Sequence, residues 1–166
     1  MILPISYYGD SVLKIRAAEC DIFGLGGLKE LINNMFETLE TKSSGVGLAA
    51  PQVGRSIRLF ITKIGEDKRV FINPEILEYS EETCLITEGC ISVPGIREEV
   101  ERPKEVVVKY QDEEGQEYQE TFTGILARVI QHEYDHLEGK TFIDRLSNLR
   151  RTLLKSKLNN VLKSKR

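Results

Sequence analysis

The chain has 166 residues, of which 40% are apolar and 30% are charged, and its formal net charge is −3 at pH 7. These values predict one globular domain spanning residues 1–166, and they exclude a disordered chain and, because no apolar run is long enough, a membrane-spanning one. Three widely spaced cysteines exclude a disulfide framework, and with no secretory signal at the N-terminus they predict a cytoplasmic protein.

The N-terminal half predicts one helix followed by extended segments. Apolar residues recur at three- and four-residue spacing from Leu28 to Leu39, which indicates an amphipathic helix. The small residues of 45–52 predict a loop after it, and Asn73-Pro74 predicts a break in the chain. Extended segments are predicted at 57–62, 69–73 and 75–86, with a turn at 65–67.

The C-terminal half predicts a hairpin and two helices. Alternating apolar residues around a turn at 112–115 indicate the hairpin. Thr123 is a plausible N-cap of the next helix and Gly139 suits its end, and the last helix begins near Ser147. Its apolar side is predicted from Leu149, Leu153, Leu154, Leu158, Val161 and Leu162. The order of elements predicts an α+β fold in which antiparallel sheets surround a central metal-binding helix.

Both histidines of the chain lie in one run, His132-Glu133-Tyr134-Asp135-His136. This is the His-Glu-x-x-His pattern of zinc hydrolases, which places two imidazoles on one face of a helix. The alternative is a pair of hydrogen-bonded histidines beside a glutamate that faces solvent. The apolar face around the histidines favours a metal site, because Glu133 would be costly to bury there without a partner.

A catalytic site of this kind needs a third protein ligand, which familiar sites place downstream of the second histidine. Here Phe142 stands where a third histidine is expected, and no glutamate occurs after Glu138. Asp144 is the last acidic residue, and it follows His136 too closely. The third ligand is therefore predicted to come from upstream of His132.

Three cysteines and many carboxylates are the upstream candidates. Cys90 is favoured because Gly89 permits a tight bend before it and Pro94-Gly95 ends the segment after it, which would hold a thiolate rigidly. For Cys20 and Cys84 a buried apolar role is the better interpretation. From spacing alone the other candidates remain open.

Three segments together resemble the signature motifs of the peptide deformylase family, in the right order and at the right separations. They are Gly45-Val46-Gly47-Leu48-Ala49-Ala50-Pro51-Gln52, Glu88-Gly89-Cys90-Ile91-Ser92 and Gln131-His132-Glu133-Tyr134-Asp135-His136. Two residues depart from the usual pattern: Ile91 replaces a leucine, and Arg128 stands in a stretch that is often apolar and alters the expected wall of the substrate pocket.

The resemblance implies a metallohydrolase that removes the N-formyl group from the N-terminal methionine of newly synthesised proteins. It implies Cys90, His132 and His136 as ligands of Fe²⁺, which Zn²⁺, Ni²⁺ or Co²⁺ can replace. Attack by a metal-bound hydroxide is expected, with Glu133 as general base and then general acid. The amide of Gln52 and the backbone N–H of Ile91 are expected to stabilise the developing oxyanion.

Substrate binding is predicted at residues of all three motifs and at the helix before the histidines. The glycines of Gly45-Val46-Gly47 allow a peptide to approach the backbone and pair like a strand, although a plain turn is the alternative. Val46 and Val129 are candidate walls of a methionine pocket, for which core packing is an equal explanation. Glu88 of the second motif is also expected to contact substrate.

The C-terminal segment 147–166 is predicted to form a basic helix. Residues 145–166 contain eight basic residues and no acidic one. Because the whole chain has a net charge of −3, residues 1–144 carry a net charge of −11. Packing on the body with a solvated basic face, contact with anionic membrane and binding to ribosomal RNA are the three interpretations. The resemblance favours the ribosome, and neither DNA nor a membrane is predicted as a partner.

Two other functions compete with a deformylase. A general metallopeptidase shares the His-Glu-x-x-His pattern, but the missing downstream ligand argues against it. A non-catalytic metal-binding module that uses the basic helix to bind RNA has no need of Glu133. Cleavage of formyl-Met-Ala but not acetyl-Met-Ala separates a deformylase from a metallopeptidase, and replacement of Glu133 separates an enzyme from a binding module.

Overall fold

The computed structural model describes residues 1–164, which form three α-helices and seven β-strands. The helices are α1 (Leu28–Glu40), α2 (Gly124–Leu137) and α3 (Asn148–Ser164). The strands are β1 (Gly47–Ala49), β2 (Leu59–Ile64), β3 (Asp67–Tyr79), β4 (Thr83–Cys90), β5 (Val93–Pro103), β6 (Val106–Gln111) and β7 (Glu117–Phe122). They form an antiparallel five-stranded sheet of order β1-β2-β3-β6-β7 and a separate antiparallel hairpin of β4 and β5. The predicted α+β class with antiparallel sheets is confirmed.

The five-stranded sheet is covered by a helix on each face. Alternate residues of a strand point to opposite faces. In β2, Leu59 and Ile61 therefore join the cluster that contains Met35 of α1, whereas Phe60 joins the cluster that contains Ile130 of α2. Burying each such side chain contributes about 1.5–3 kcal/mol to stability, so the sheet fixes both helices firmly.

The hairpin of β4 and β5 packs against α3 instead of joining the sheet. Val93, Ile96 and Val100 of β5 form a cluster with Leu154 and Leu158. Only half of the predicted apolar side of α3 is buried, namely Leu154, Leu158 and Val161, because the helix contacts the hairpin along one narrow face. Its remaining predicted members are exposed, and they are Leu149 at 69%, Leu153 at 66% and Leu162 at 38%. Lys165 and Arg166 of the predicted basic helix lie outside the described residues.

Two predictions about loops are wrong in part. Segment 45–52 contains β1, which pairs with β2, and the start of a 3-10 turn at Ala50–Val53, so less of it is loop than predicted. The chain also does not break at Asn73-Pro74, because β3 continues through a bulge there. Asn73 adopts φ 49°, and its side chain bonds the backbone N–H and carbonyl of Cys20 at 2.7 and 2.9 Å.

Helix α2 crosses the sheet and carries the two histidines. Thr123 occupies the N-cap position, as predicted, but its side chain makes no capping hydrogen bond. The helix ends at Leu137, and Gly139 with φ 73° turns the chain away, a conformation that glycine adopts without strain. Within residues 1–164 no helix is both long and apolar enough to cross a membrane.

Candidate metal centre

Three candidate ligands meet where the end of β4 faces α2. His132 and His136 are one helical turn apart, and their ring centroids are separated by 5.3 Å. A register shift between Gly89 and Cys90 ends the regular pairing of β4 with β5 and turns the thiol toward the helix. Sγ of Cys90 lies 3.4 Å from Nε2 of His136. One ligand atom from each of the three residues lies within 4.8 Å of the other two.

The donor set and its surroundings fit a divalent transition metal. A thiolate and two imidazoles are ligands that zinc and iron accept, and three protein ligands leave a position open. Oε2 of Glu133 and Nδ1 of His136 are buried, and neither has a hydrogen-bond partner among residues 1–164. Buried polar atoms without a partner are rare, so the site has capacity for a further polar group beside Glu133.

Glu88 fixes the orientation of His132. One carboxylate oxygen of Glu88 lies 2.7 Å from Nδ1 of His132, which leaves Nε2 of that ring for a metal. Arg102 donates two hydrogen bonds to Glu88 at 2.6 and 3.0 Å, and Arg128 donates one at 2.7 Å. Burial opposes ionisation of Glu88, but His132 and Arg102 together hold the pKa of this carboxyl well below its usual range.

A chain of buried ion pairs continues outward from Glu88. Arg102 also donates to Asp135 at 2.9 Å, and Asp135 accepts from Arg145 on the far side. Arg102 and Asp135 are 3% and 2% exposed. A buried charge is tolerated only when it is paired, so these contacts tie the hairpin, α2 and the segment before α3 together around the site.

Two ionisable side chains of the site have strongly shifted pKa values. Burial alone would raise the pKa of the Cys90 thiol, but the charge of His136 and hydrogen bonds from His132 and His136 lower it to about 5. A thiolate is the form that binds metals. Burial raises the pKa of Glu133 to about 7 against the opposing charges of His132 and His136. Glu133 is only 3% exposed, which excludes the alternative in which this glutamate faces solvent.

A cavity of about 480 Å³ opens onto these groups. Its lining includes Cys90 and His132 but not His136, which is fully buried. The predicted catalytic and substrate-binding residues all line it as well, and they are Gly45, Val46, Gly47, Gln52, Glu88, Ile91, Val129 and Glu133. Glu88 contributes to the wall, but the hydrogen bonds to its carboxylate come from His132 and two arginines.

Hydrogen bonds orient the side chain of Gln52, and a close approach excludes any side chain at Gly47. The side-chain oxygen of Gln52 accepts from the N–H of Ala49 at 2.8 Å, which turns its amide nitrogen toward Ser92 at 3.1 Å and Cys90 at 3.6 Å. A Cβ on Gly47 would lie 2.8 Å from Oε1 of Glu133. The close approach of β1 to α2 therefore requires glycine at this position.

Sequence reasoning missed several groups around the cavity. Ser92 is fully buried and accepts a hydrogen bond from Gln52. Its position two residues after Cys90 was the signal that it lies close to the site. Arg102 and Arg145 were missed as well. The signal for them was Asp135, an acid on a buried part of α2 that requires cations from elsewhere in the chain.

The fold and the site define an α+β hydrolase of a metal-dependent class, with a Cys-His-His group that could hold a metal ion. The chain belongs to the polypeptide deformylase family, because the sequence model of that family matches residues 2–152. It is 46% identical to a peptide deformylase of Christiangramia forsetii, with 99% of this chain and 92% of that protein covered. Family members are metal-dependent hydrolases that act on formylated nascent polypeptides.

Solved structures support the same assignment. A peptide deformylase from Thermotoga maritima is 46% identical, with a TM-score of 0.84 over 89% of this chain and 99% of that one. A peptide deformylase from Plasmodium falciparum is 36% identical, with a TM-score of 0.90 over 97% of this chain and 96% of that one. The membership of the peptide deformylase family that the three motifs predicted is confirmed.

Proposed function

We propose that this protein removes the N-formyl group from the N-terminal methionine of new polypeptides in the cytoplasm, as one catalytic domain over residues 1–166. The observation that carries the proposal is that three candidate ligand atoms within 4.8 Å of one another lie beside a buried carboxylate oxygen of Glu133 that has no partner among residues 1–164. Cys90, His132 and Glu133 line the same cavity.

Cys90, His132 and His136 are the proposed ligands of Fe²⁺, with Zn²⁺, Ni²⁺ or Co²⁺ able to take its place. The soft thiolate and the imidazoles support this choice over Mg²⁺ or Ca²⁺, which prefer oxygen ligands. The metal supplies Lewis acidity that lowers the pKa of water, so that hydroxide is available near neutral pH. Glu88 is better suited to orienting His132 than to contacting substrate, because its hydrogen bonds are already engaged.

Glu133 is the proposed general base and general acid. Its Oε2 has no partner among the described residues, so it is free to accept a proton from the attacking water. The same oxygen then delivers that proton to the leaving amine, which produces formate and a free N-terminus. A buried carboxyl with a pKa raised to about 7 suits both halves of this transfer.

Gln52 and Ile91 are the proposed donors to the developing oxyanion. The Gln52 amide nitrogen is held near Cys90 by the bond that its oxygen accepts from Ala49. Ile91 follows Cys90 directly and lines the cavity, which supports its backbone N–H as the second donor. Donors fixed before the reaction stabilise the transition state without having to reorganise.

The substrate backbone is proposed to lie between two strand edges. β1 is an edge of the larger sheet and β4 is free on one side, and both border the cavity. An extended peptide placed between Gly45-Val46-Gly47 and β4 would pair with both edges. Val129 and Val46 would form apolar wall for the methionine side chain, as the partly apolar lining supports.

Hydrolysis of formyl-Met-Ala is the direct test. We expect release of formate from formyl-Met-Ala, with acetyl-Met-Ala at least about 100-fold slower because an acetyl methyl group must occupy the space beside Gln52 and Glu133. Formate is measured by a coupled dehydrogenase assay. Cleavage of the internal peptide bond of unblocked Met-Ala-Ser would instead identify a general metallopeptidase.

We also propose that α3 contacts ribosomal RNA. Lys155, Lys157 and Lys163 are exposed and have no ion pair among residues 1–164, so they are available to phosphates. Deleting α3 would expose the apolar residues of the hairpin that it covers. Substitution of its lysines is therefore the cleaner test of the contact.

Replacing Lys155, Lys157 and Lys163 with glutamine is expected to weaken pelleting with ribosomes. The slope of the logarithm of affinity against the logarithm of salt concentration should become shallower by about 2 to 3 units. A variant with Lys14, Lys109 and Lys140 changed to glutamine removes the same charge outside α3. Equal pelleting of the two variants at every salt concentration would remove the proposal.

A further inference from the structure

The 3-10 turn Phe142–Arg145 contacts the candidate metal centre, although none of the three candidate ligands belongs to it. Phe142 is buried, and its ring stacks on the imidazole of His132 with the ring centroids 6.0 Å apart and the planes 22° from parallel. Stacking at this separation favours one mutual orientation of the two rings. Phe142 also stands where a third histidine was expected from the His-Glu-x-x-His pattern. This position therefore packs against a candidate ligand instead of supplying one.

Arg145, at the end of the same turn, reaches His132 through a chain of charged groups. Its guanidinium donates to both carboxylate oxygens of Asp135, at 2.6 and 3.1 Å. Asp135 also accepts from Arg102, whose other nitrogens donate to both oxygens of Glu88. Glu88 in turn contacts Nδ1 of His132. The ion pairs thus connect a half-exposed arginine to a candidate ligand without a break.

The oxygen of Glu88 that lies beside His132 is held by Arg102. Nη2 of Arg102 donates to this oxygen at 3.0 Å, and Nδ1 of His132 lies 2.7 Å from it. Arg128 donates to the other oxygen of Glu88, at 2.7 Å. A displacement of Arg102 would therefore disturb the contact with His132, since Arg128 bonds the opposite oxygen.

Arg145 keeps Arg102 in place by sharing Asp135 with it. Within the described chain, these two arginines are the side chains that donate to the carboxylate of Asp135. Without Arg145, one oxygen of this buried carboxylate would lose its partner, which is costly. Arg102 would turn toward Asp135 to satisfy that oxygen, and its hydrogen bonds to Glu88 would lengthen.

We propose that the turn Phe142–Arg145 positions His132 for metal binding, an inference that rests on the proposed ligand set. Phe142 supports the face of the imidazole ring, and Arg145 supports its Nδ1 edge through the chain of ion pairs. Groups behind a metal-bound histidine fix the orientation of its ring, and their loss typically lowers metal affinity or activity by about 10- to 100-fold. Arg145 and Phe142 are thus positioning residues that bind neither metal nor substrate.

Arg145→Gln tests the chain of ion pairs. Because three ion pairs in series link Arg145 to Glu88, we expect the affinity for Co²⁺ to fall by about tenfold, the lower end of the range for groups behind a ligand. The visible spectrum of the Co²⁺-loaded protein should also change, because the absorption of Co²⁺ depends on the geometry of its ligands. Affinity is measured by competition with a chelator, and the spectrum is recorded on the loaded protein.

Arg151→Gln is the matched control, because it loosens the same turn without touching the chain of ion pairs. Arg151 of α3 donates to the carbonyl of Ile143 and to the carboxylate of Asp144, both in the turn. We expect this variant to keep the Co²⁺ affinity and the spectrum of the parent protein. Equal affinities and equal spectra for Arg145→Gln and Arg151→Gln would show that Arg145 only anchors the turn, and would overturn the inference.

A double-mutant cycle tests whether Arg145 acts through Asp135. In the Asp135→Asn background, Arg145→Gln should lower the Co²⁺ affinity by less than about twofold, because the link that it supports is already broken. A further loss of about tenfold in that background would mean that the two residues act independently, which contradicts the proposed chain.

Phe142→Leu tests the stacked ring separately from the charges. Leucine keeps an apolar side chain in the cluster but presents no ring to His132. The Co²⁺ spectrum should shift in this variant and stay unchanged in Ile143→Val, a change at the neighbouring buried residue of the same cluster. A parent-like spectrum in Phe142→Leu would exclude a role for the ring. Failure of the parent protein to bind Co²⁺, or binding without a thiolate absorption band, would contradict the proposed ligand set itself, and the inference would fall with it.

Discussion

Replacement of Glu133 with glutamine is expected to lower kcat for formyl-Met-Ala by about 10²–10⁴-fold while the metal stays bound. Glutamine keeps the shape of the side chain but cannot accept a proton from water. Oε2 of Glu133 makes no hydrogen bond within residues 1–164, so the substitution breaks no protein contact at that oxygen. The loss should therefore appear in turnover and leave the melting temperature of the holoenzyme nearly unchanged.

Metal content and turnover of Glu133→Gln are measured on the same preparation. Glu66→Gln is the matched control, because it makes the same chemical change at an exposed turn between β2 and β3. The control should retain full activity. Retention of more than about a tenth of the parent kcat by the Glu133 variant, with metal bound, would mean that another group transfers the proton.

Replacement of Cys90 with serine is expected to weaken metal binding by more than about 100-fold and to abolish activity. A serine hydroxyl does not ionise near neutral pH, so the site would lose its only anionic ligand. The Cys90 thiol has its pKa lowered to about 5 by the two histidines despite its burial, which makes the thiolate the form present at neutral pH. Thiolate is the metal-binding form.

Cys84→Ser is the matched control for the Cys90 variant, since both residues lie on β4. Its Sγ contacts Arg128 at 3.4 Å, an interaction that a hydroxyl can replace. Affinity is measured by competition with a coloured chelator, and metal-dependent stability is measured by thermal melting. Equal metal affinity of the Cys90 and Cys84 variants would exclude Cys90 as a ligand.

The parts of the fold that follow from local pattern were predictable from sequence. The spacing of Leu28 to Leu39 and the alternation around 112–115 predicted α1 and the hairpin of β6 and β7, because their periodicities are set by the backbone itself. The continuation of β3 through Asn73 was not predictable in the same way. It depends on side-chain bonds to Cys20, which is 53 residues away in the chain.

In the candidate site, too, the features set by local spacing were predictable and those set by contacts distant in sequence were not. The spacing of His132 and His136 predicted their common face, and the absence of a downstream ligand led to Cys90, which lies beside them in space. The position of Asp135 on α2 signalled that it needs a cation, but which arginine supplies it was not predictable, because Arg102 lies on a strand distant in sequence. The exposure of Leu149 and Leu153 was not predictable either, since an apolar pattern does not reveal how wide a face its partner covers.

The proposed ligands come from two elements that are distant in the chain, with Cys90 on the hairpin of β4 and β5 and the histidines on α2. A two-stranded hairpin is at best marginally stable on its own. A bound ion would act as a cross-link that closes the chain between Cys90 and His132, and its binding free energy would add to the free energy of unfolding. Loss of the metal would thus loosen the hairpin and shorten the lifetime of the protein among cellular proteases, so metal supply would control the amount of protein as well as its activity.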